Sequence, residues 1–403
     1  MKLGIRKYIK YIIVFLCTLV VSYLSCSIRS NEVLSLRITN SFVSGIIPYK
    51  DFISPSSYLF YISLIPFSFN YLSLYFYSSL IVTFIVYVLD KTTTKGEYLF
   101  YAFLLVAARP TEVLLMLLLM ILIIRMELEM KKYYTYRYDF YIGLIAGLIT
   151  MINPLIGLLT IISIFITKKN KVNRFIGLLL PILVLVLINT ITLNLATYFT
   201  YCFKNIINIS IDAYFIFFVL ILIGLVIEKI RMIKYKNNSL ILNLILILNI
   251  SLLYYKDISV LFSVFTLIIL YIVLAYKKDE VNNIFNMVGI LYLAFLFIVM
   301  VYSSLNNTII MKEGILKNLL VNKDIVDNVK YFNNLDKDYY LIDGSTYLYS
   351  KDLRKEYYTR INKDTYLDNC KDSYIYKNKY INYDLSKYEY LDSYKDFDIY
   401  LCK

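Results

Sequence analysis

The sequence contains no histidine and no tryptophan, and only 18% of its 403 residues are charged. Without histidine there is no Ser-His-Asp triad, no imidazole base and no histidine metal ligand. Acid–base chemistry must then fall to Asp, Glu, Lys, Tyr or Cys. No Walker-type loop and no GxGxxG run occurs, so a nucleotide-driven pump or enzyme has no support. The five cysteines, Cys17, Cys26, Cys202, Cys370 and Cys402, show no CxxC or other metal spacing. Cys370 and Cys402 share the tail: they can pair if that tail is extracytoplasmic, or stand as two thiols.

What fills the chain instead is apolar. Hydrophobic residues make up 59%, against about 45–50% in a soluble domain, which also carries about 25% charge. The composition is that of a mainly α, polytopic membrane protein. The net charge of +13 is unevenly placed: from Lys312 onward 16 basic residues meet 16 acidic ones, so the excess lies earlier. Most of it falls in short loops between apolar runs, as the positive-inside rule requires. Topology explains the charge, and nucleic acid is not an expected partner.

Lys2, Arg6, Lys7 and Lys10 precede an apolar run from Tyr11 to Leu24 and predict a cytoplasmic N-terminus. Ser25-Cys26 is weakly like a cleavage site, but Tyr23 fits it poorly, and an uncleaved first span is the reading. Basic loops at Arg125–Arg137, Lys168–Arg174, Glu228–Lys236 and Lys277–Asn283 mark the cytoplasmic side. Asp139–Thr167 is too long for one crossing of about 20 residues, and Asn153-Pro154 divides it into a hairpin of two short helices. Further spans are expected near Phe175–Leu193, Ala213–Val226, Leu240–Tyr255, Ile258–Tyr276 and Ile284–Tyr302. Tyr58–Leu89 and Tyr98–Ile124 each read as one long span or two short ones. With an inside start and an outside end the number is odd; about 11 spans are expected, with 13 as the alternative.

The chain divides into a transmembrane part, 1–304, with a first outer loop at about 27–56, and a small extracytoplasmic α/β domain, 305–403. Gly314–Asn334 has helical spacing, and Tyr339–Ile342, Ser373–Tyr376 and Asp398–Leu401 read as strands. All six prolines (48, 55, 66, 110, 154, 181) lie in the first half. Irregular membrane backbone is tolerated where it lines a cavity, so the site is expected there.

The densest stretch is Ser27–Phe69. Asn31-Glu32 opens an amphipathic helix with Val33, Leu36, Phe42 and Val43 apolar and Arg37 and Asn40 polar. Glu32 is either a general base toward a hydroxyl, its pKa raised by partial burial, or a first-turn charge answering the helix dipole. Asp51, in Pro48-Tyr49-Lys50-Asp51-Phe52, is a second carboxylate or a turn residue bonding its own backbone. Arg109-Pro110-Thr111-Glu112 interrupts an otherwise apolar run. Charges inside such a run are costly and point to function. Arg109 suits phosphate through its planar fork, or else forms a surface ion pair with Glu112. Asp336-Lys337-Asp338 and Asp396-Phe397-Asp398 have DxD spacing, but chance supplies such matches in a tail this rich in Asp.

With these residues in view, the opening stretch resembles the polyprenyl-phosphate-dependent glycosyltransferases of the GT-C superfamily, such as protein mannosyltransferases and aminoarabinose transferases. The matching features are Asn31-Glu32, Gly45, Pro48-Tyr49-Lys50-Asp51-Phe52 and Pro55, with a looser likeness at Ala108-Arg109-Pro110-Thr111. Specific residues match over about forty positions, and the many spans and the outer tail match in general architecture. The family usually has Asp where this chain has Asn31, which leaves Glu32 alone in the acidic pair. The resemblance implies inverting transfer from a polyprenyl-phosphate sugar donor to a glycan, lipid or protein acceptor at the outer face of the cell membrane. Glu32 or Asp51 would act as base. Arg37, Lys50, Arg109 and Glu112 would line the phosphate site, and no metal or other cofactor is implied. A lipid-linked oligosaccharide flippase or transporter, and a polysaccharide polymerase or ligase, are the competing classes.

Overall fold

A computed structural model of the protein describes residues 2–24, 30–45, 47–49, 57–68, 71–93, 97–133, 135–166, 171–204, 212–234, 240–275, 279–310, 320–335, 339–342, 367, 370–380 and 384–402. In chain order the helices begin α1 (Lys2–Leu24), α2 (Ser30–Val43), α3 (Tyr58–Leu64, continued by a 3-10 turn at Ile65–Phe67), α4 (Tyr71–Thr92) and α5 (Glu97–Ala107). They continue α6 (Glu112–Lys132), α7 (Tyr136–Thr150), α8 (Pro154–Ile166), α9 (Lys171–Ile191), α10 (Leu195–Lys204) and α11 (Ala213–Lys234). The last are α12 (Leu240–Ile250), α13 (Leu252–Tyr255), α14 (Ile258–Ala275), α15 (Asp279–Asn307) and α16 (Lys323–Asn333). Strands are β1 (Thr308–Ile310), β2 (Leu320–Asn322), β3 (Tyr339–Ile342), β4 (Ser373–Asn378), β5 (Glu389–Tyr394) and β6 (Phe397–Cys402).

These elements fall into two units. One holds Met1–Ser25 and Ser56–Tyr302; the other holds Cys26–Pro55 and Ser303–Lys403.

The described part of the first unit is a helical bundle. Five of its helices are long and apolar enough to cross a membrane: those at Leu72–Thr92, Lys171–Ile191, Ala213–Met232, Ile258–Ala275 and Asn283–Asn307. They differ in setting. α4 and α14 are mostly buried inside the protein, whereas α11 and α15 are almost wholly uncovered. Leu220, Ile223 and Ile227 on α11, and Leu291, Phe295 and Ile298 on α15, are exposed. Apolar helices this bare have no stable place in water and suit a hydrocarbon solvent.

The ambiguous early region resolves unequally. Tyr58–Leu89 becomes the short α3, a turn at Pro66–Ser68, and one long helix, α4. Tyr98–Ile124 becomes two helices parted at Ala108–Thr111. The break expected at Asn153-Pro154 is present: Asn153 Oδ1 accepts from Ile156 N at 3.1 Å, and proline occupies the first helical position, where its missing N–H loses nothing. Leu240–Tyr255, expected as one span, is interrupted at Ser251.

Backbones of α7 and α9 touch. A Cβ at Gly143 would stand 1.9 Å from the Arg174 carbonyl oxygen, and one at Gly177 2.0 Å from that of Phe140. Gly143 and Gly147 form the small-xxx-small spacing that lets membrane helices approach this closely.

In the second unit the sheet has the order β3-β4-β6-β5, with β3 parallel to β4 and the other pairings antiparallel. Its two faces are separately covered. Phe332 of α16 is fully buried and lies 5.0–5.5 Å, ring to ring, from Tyr339, Tyr376 and Phe397. The Tyr331 ring stacks on Tyr394 at 3.8 Å. Burial, with the Tyr331 hydroxyl beside it, pushes the Tyr376 hydroxyl well above its ordinary pKa. The opposite face buries Tyr340, Ile342 and Ile375 under Leu367 and Leu385, and there Cys370 and Cys402 are joined as a disulfide. Three expected strands are therefore present; β5 and the β1–β2 pair add to them. The expected helix over Gly314–Asn334 is realised as β2 followed by α16, while residues 311–319 lie outside the described set.

Candidate functional site

In the second unit, Asn31 and Glu32 lie in the first turn of α2. Their side chains, and all of Lys50 and Asp51, lie outside the described residues. Arg37 is half-buried, while Leu36, Ile38 and Thr39 around it are buried and Asn40 is exposed. Val43, expected on the apolar face, is exposed. α2 ends as its sequence suggests: Gly45, at φ +86°, takes the left-handed position after the last turn. Tyr49 is buried and also left-handed, at φ 67°. A bulky residue there is a genuine outlier, of a kind that clusters at functional sites.

In the first unit, Arg109 and Glu112 are both buried, at 8% and 5% exposure, so the segment is not a solvent-facing loop. Ala108–Thr111 satisfies its own irregular backbone. The Arg109 N–H donates to Ala107 O and the Thr111 N–H to Arg109 O, each at 2.7 Å. Ser22 Oγ donates to Ala108 O at 3.2 Å. Thr111 then caps α6 by accepting from Leu114 N.

Other interruptions gather at the same end of the bundle. The N–H groups of Ser57 and Leu59 donate to the carbonyls of Ile152 and Met151, at 3.1 and 3.2 Å, so the start of α3 completes the α7–α8 break. The Tyr58 hydroxyl donates to Asn189 Oδ1 at 3.1 Å and accepts from Asn194 Nδ2 at 2.8 Å. Ser57 Oγ and the Tyr198 hydroxyl are 2.9 Å apart, and the Tyr58 and Tyr198 rings stack. Asn153 Nδ2 donates to the Tyr255 hydroxyl at 2.9 Å, and Lys256 pairs with Asp212 at 2.8 Å. The Phe103 ring of α5 meets Phe262 of α14 at 5.4 Å. α5 runs toward Ala108–Thr111 while α14 runs away from Lys256, which brings the two breaks to one end. The first residues of α6, α8, α11 and α14 therefore point the same way, capped by Thr111, Asn153, Asp212 and Asp257. The C-termini of α5, α7, α9 and α12 lie at the same end, so positive and negative dipole termini alternate there.

Charge collects at the other end. Arg174, fully buried, donates from Nε to Asp139 Oδ1 at 2.6 Å, from Nη1 to Ile164 O at 2.7 Å and from Nη2 to Glu127 Oε2 at 3.1 Å. It thus ties α6, α7 and α8 to α9. Lys10 pairs with Asp90 and Glu97, joining α1, α4 and α5. Tyr271 donates to Glu228 at 2.5 Å, joining α14 to α11.

Of the residues expected at the site, the structure places Arg109 and Glu112 in a buried break. The sequence reading missed Ser57, Tyr58, Asn189, Asn194 and Tyr198, and named Asn153 only as a helix break. Their signal was present: Asn189 and Asn194 end an apolar run, and Asn153 precedes the proline that divides one. Among the described residues, no group of three or more Cys, Asp or Glu is placed to hold a metal. No protein-family model, curated protein or solved structure matches the chain.

Proposed function

We propose that the chain is an integral membrane glycosyltransferase that moves a sugar from a polyprenyl-phosphate donor to a hydroxyl acceptor at the outer face of the membrane. One observation carries this reading: a buried guanidinium, Arg109, sits in a helix break between α5 and α6. Fixed positive groups out of water suit a phosphate whose negative charge grows as the sugar leaves. In the step proposed, a carboxylate, Glu32 or Asp51, takes the acceptor hydroxyl proton. The acceptor oxygen bonds to the anomeric carbon from the opposite side, and the carbon–oxygen bond to phosphate breaks with its electrons on the phosphate. Arg109 would receive that charge, and Glu112 would orient Arg109.

The reading takes eleven crossings, for which five helices are long and apolar enough, and it puts the Arg174 end with the N-terminus at the cytoplasmic face and the Arg109 end at the outer face. The Cys370–Cys402 disulfide agrees with a tail in an oxidising compartment.

The test uses purified protein with a radiolabelled polyprenyl-phosphate sugar. Glu32→Gln or Asp51→Asn, whichever removes the base, should reduce transfer by roughly 10²–10⁴-fold. Arg109→Ala should weaken donor binding and turnover together, and Arg109→Lys should recover only part, since a point charge lacks the fork. If both carboxamide variants keep full activity, the carboxylate mechanism is wrong. Intact donor crossing a vesicle bilayer with no sugar released would establish the flippase instead.

A further inference from the structure

Between Glu112 and Asp212 the chain carries only three acidic residues, and each is already held by an arginine. Glu127 and Asp139 close on Arg174 at 3.1 and 2.6 Å, and Glu129 pairs with Arg125. Basic residues at the same end of the bundle are left over. Lys131 and Lys132 end α6, Arg137 stands in the first turn of α7, and Lys171 opens α9. All four are exposed, and among the described residues none has a carboxylate partner. They also share one place. Residues 133–135 alone join α6 to α7, and the Arg174–Asp139 bond sets the first turns of α7 and α9 side by side.

Helix dipoles account for only part of this charge. A cation in a last turn answers the dipole, as Lys131 and Lys132 do for α6; in a first turn it opposes the dipole, as Arg137 and Lys171 do. Positive loops also orient a membrane chain, but acidic residues count for little in that rule. Orientation therefore does not require every nearby carboxylate to be withdrawn into internal pairs. Tyr133 and Tyr136, in the same connection, are 69% and 62% exposed. Tyrosines so bare beside basic residues suit the level where a bilayer meets water, with the ring among headgroups and the hydroxyl wet.

We propose that the α6–α7 connection, with the start of α9, is a docking surface for the phosphate headgroups of anionic lipids in the adjoining leaflet. Charge complementarity selects the partner: four uncovered cations with no acid left among them attract a surface dense in phosphate. The partner is a lipid surface rather than a dissolved anion because apolar side chains continue directly from the charges. Val172, Phe175 and Ile176 follow Lys171 on α9, and all three are exposed. Headgroup and acyl chain thus each meet a matching part of one helix. The surface lies at the end that the Arg174 cluster fixes, so bound lipid would set the depth of that end in the bilayer.

The test adds dioleoylphosphatidylglycerol to the purified full chain in a non-ionic detergent and follows thermal unfolding. Dioleoylphosphatidylcholine and inorganic phosphate are the comparisons. Phosphatidylglycerol should raise the melting temperature of the wild type, the other two should not, and the gain should fade as salt rises. Arg137→Gln should need roughly fivefold more phosphatidylglycerol for the same gain. Lys131→Gln/Lys132→Gln/Arg137→Gln/Lys171→Gln should need at least about a hundredfold more, and should melt at or above the wild-type temperature without lipid, since no ion pair is lost. Should that variant fail to fold, Lys131→Gln/Lys132→Gln and Arg137→Gln give the same reading singly. Arg137→Lys keeps the charge and should keep the gain, and Lys330→Gln, on exposed α16 surface, should change nothing. Equal gains in the wild type and the neutralised variants overturn the proposal, as does a gain from phosphatidylcholine that matches phosphatidylglycerol. Inorganic phosphate matching the lipid would also overturn it, by leaving an anion site with no lipid surface. None of these readouts involves sugar transfer, so failure here leaves the proposed function untouched.

Discussion

The two ends of the helical bundle are held by different chemistry. At one, formal charges meet directly: Arg174 with Asp139 and Glu127, Lys10 with Asp90 and Glu97. At the other, amides, hydroxyls and irregular backbone do most of the joining, through Tyr58, Asn153, Asn189, Asn194 and Tyr198, beside the Lys256–Asp212 pair. The difference matters because the two kinds of contact fail differently. A buried ion pair is costly to assemble and costlier to break singly, so it fixes one arrangement of helices. Neutral hydrogen bonds between membrane helices are weak, about 0.6 kcal/mol on average, and can be exchanged for bonds to a ligand. The ion-paired end reads as the frame, and the neutral end as the part free to work.

The largest expected effect tests the frame. Arg174→Ala leaves Asp139 buried with no guanidinium and strands the Ile164 carbonyl, and should cost about 3–5 kcal/mol of stability. Arg174→Met combined with Asp139→Leu removes both charges and should recover most of the loss. If the double change is as unstable as the single one, packing rather than charge holds this end. A smaller effect comes from the helix contact beside it. Gly143→Ala forces a methyl into the Arg174 carbonyl and should cost about 1–3 kcal/mol. Gly224→Ala is the control, because a Cβ there meets nothing within 4 Å. Equal melting temperatures for these two variants would show that α7 and α9 are not in backbone contact.

Each end was partly legible in the sequence, and what stayed hidden did so for a physical reason. Hydropathy reports how apolar a segment is, so the long helices α9, α11, α14 and α15 stood out, while α4 lay in a stretch that read as one long span or two short ones. Asn153-Pro154 marked its break because proline has a local, sequence-visible cost. Arg174 was visible only as one more basic loop residue, since nothing in a linear chain tells that Asp139 and Glu127 close around it. The Gly143–Gly147 spacing was readable and was overlooked. Arg109-Pro110 likewise marked the break at Ala108–Thr111, although Ser22 reaching Ala108 O leaves no local trace; the break at Ser251 carries no proline or charge to announce it. In the tail, β3, β4 and β6 were legible because apolar and aromatic residues cluster there. β5, uncovered along its length, carries little such signal.

The smallest expected effect on stability is at the neutral end, and it decides whether the contrast holds. Tyr58 is the second described residue after Pro55, and its hydroxyl is bonded twice, to Asn189 and Asn194. Tyr58→Phe removes both bonds and keeps the ring that stacks on Tyr198, so stability should fall by only about 1 kcal/mol. Asn194→Leu should cost about as much, and the two changes together hardly more than either, because the second acts on a bond already lost. Turnover should respond more strongly than stability, since this network lies at the end of the bundle that carries Arg109. Melting temperature and donor turnover measured on the same preparations separate the two. A loss of stability as large as that of Arg174→Ala would make Tyr58 part of the frame and erase the distinction between the ends. A Tyr58→Phe protein with unchanged melting and unchanged turnover would show that the network constrains nothing, and the working end would have to be sought elsewhere in the bundle.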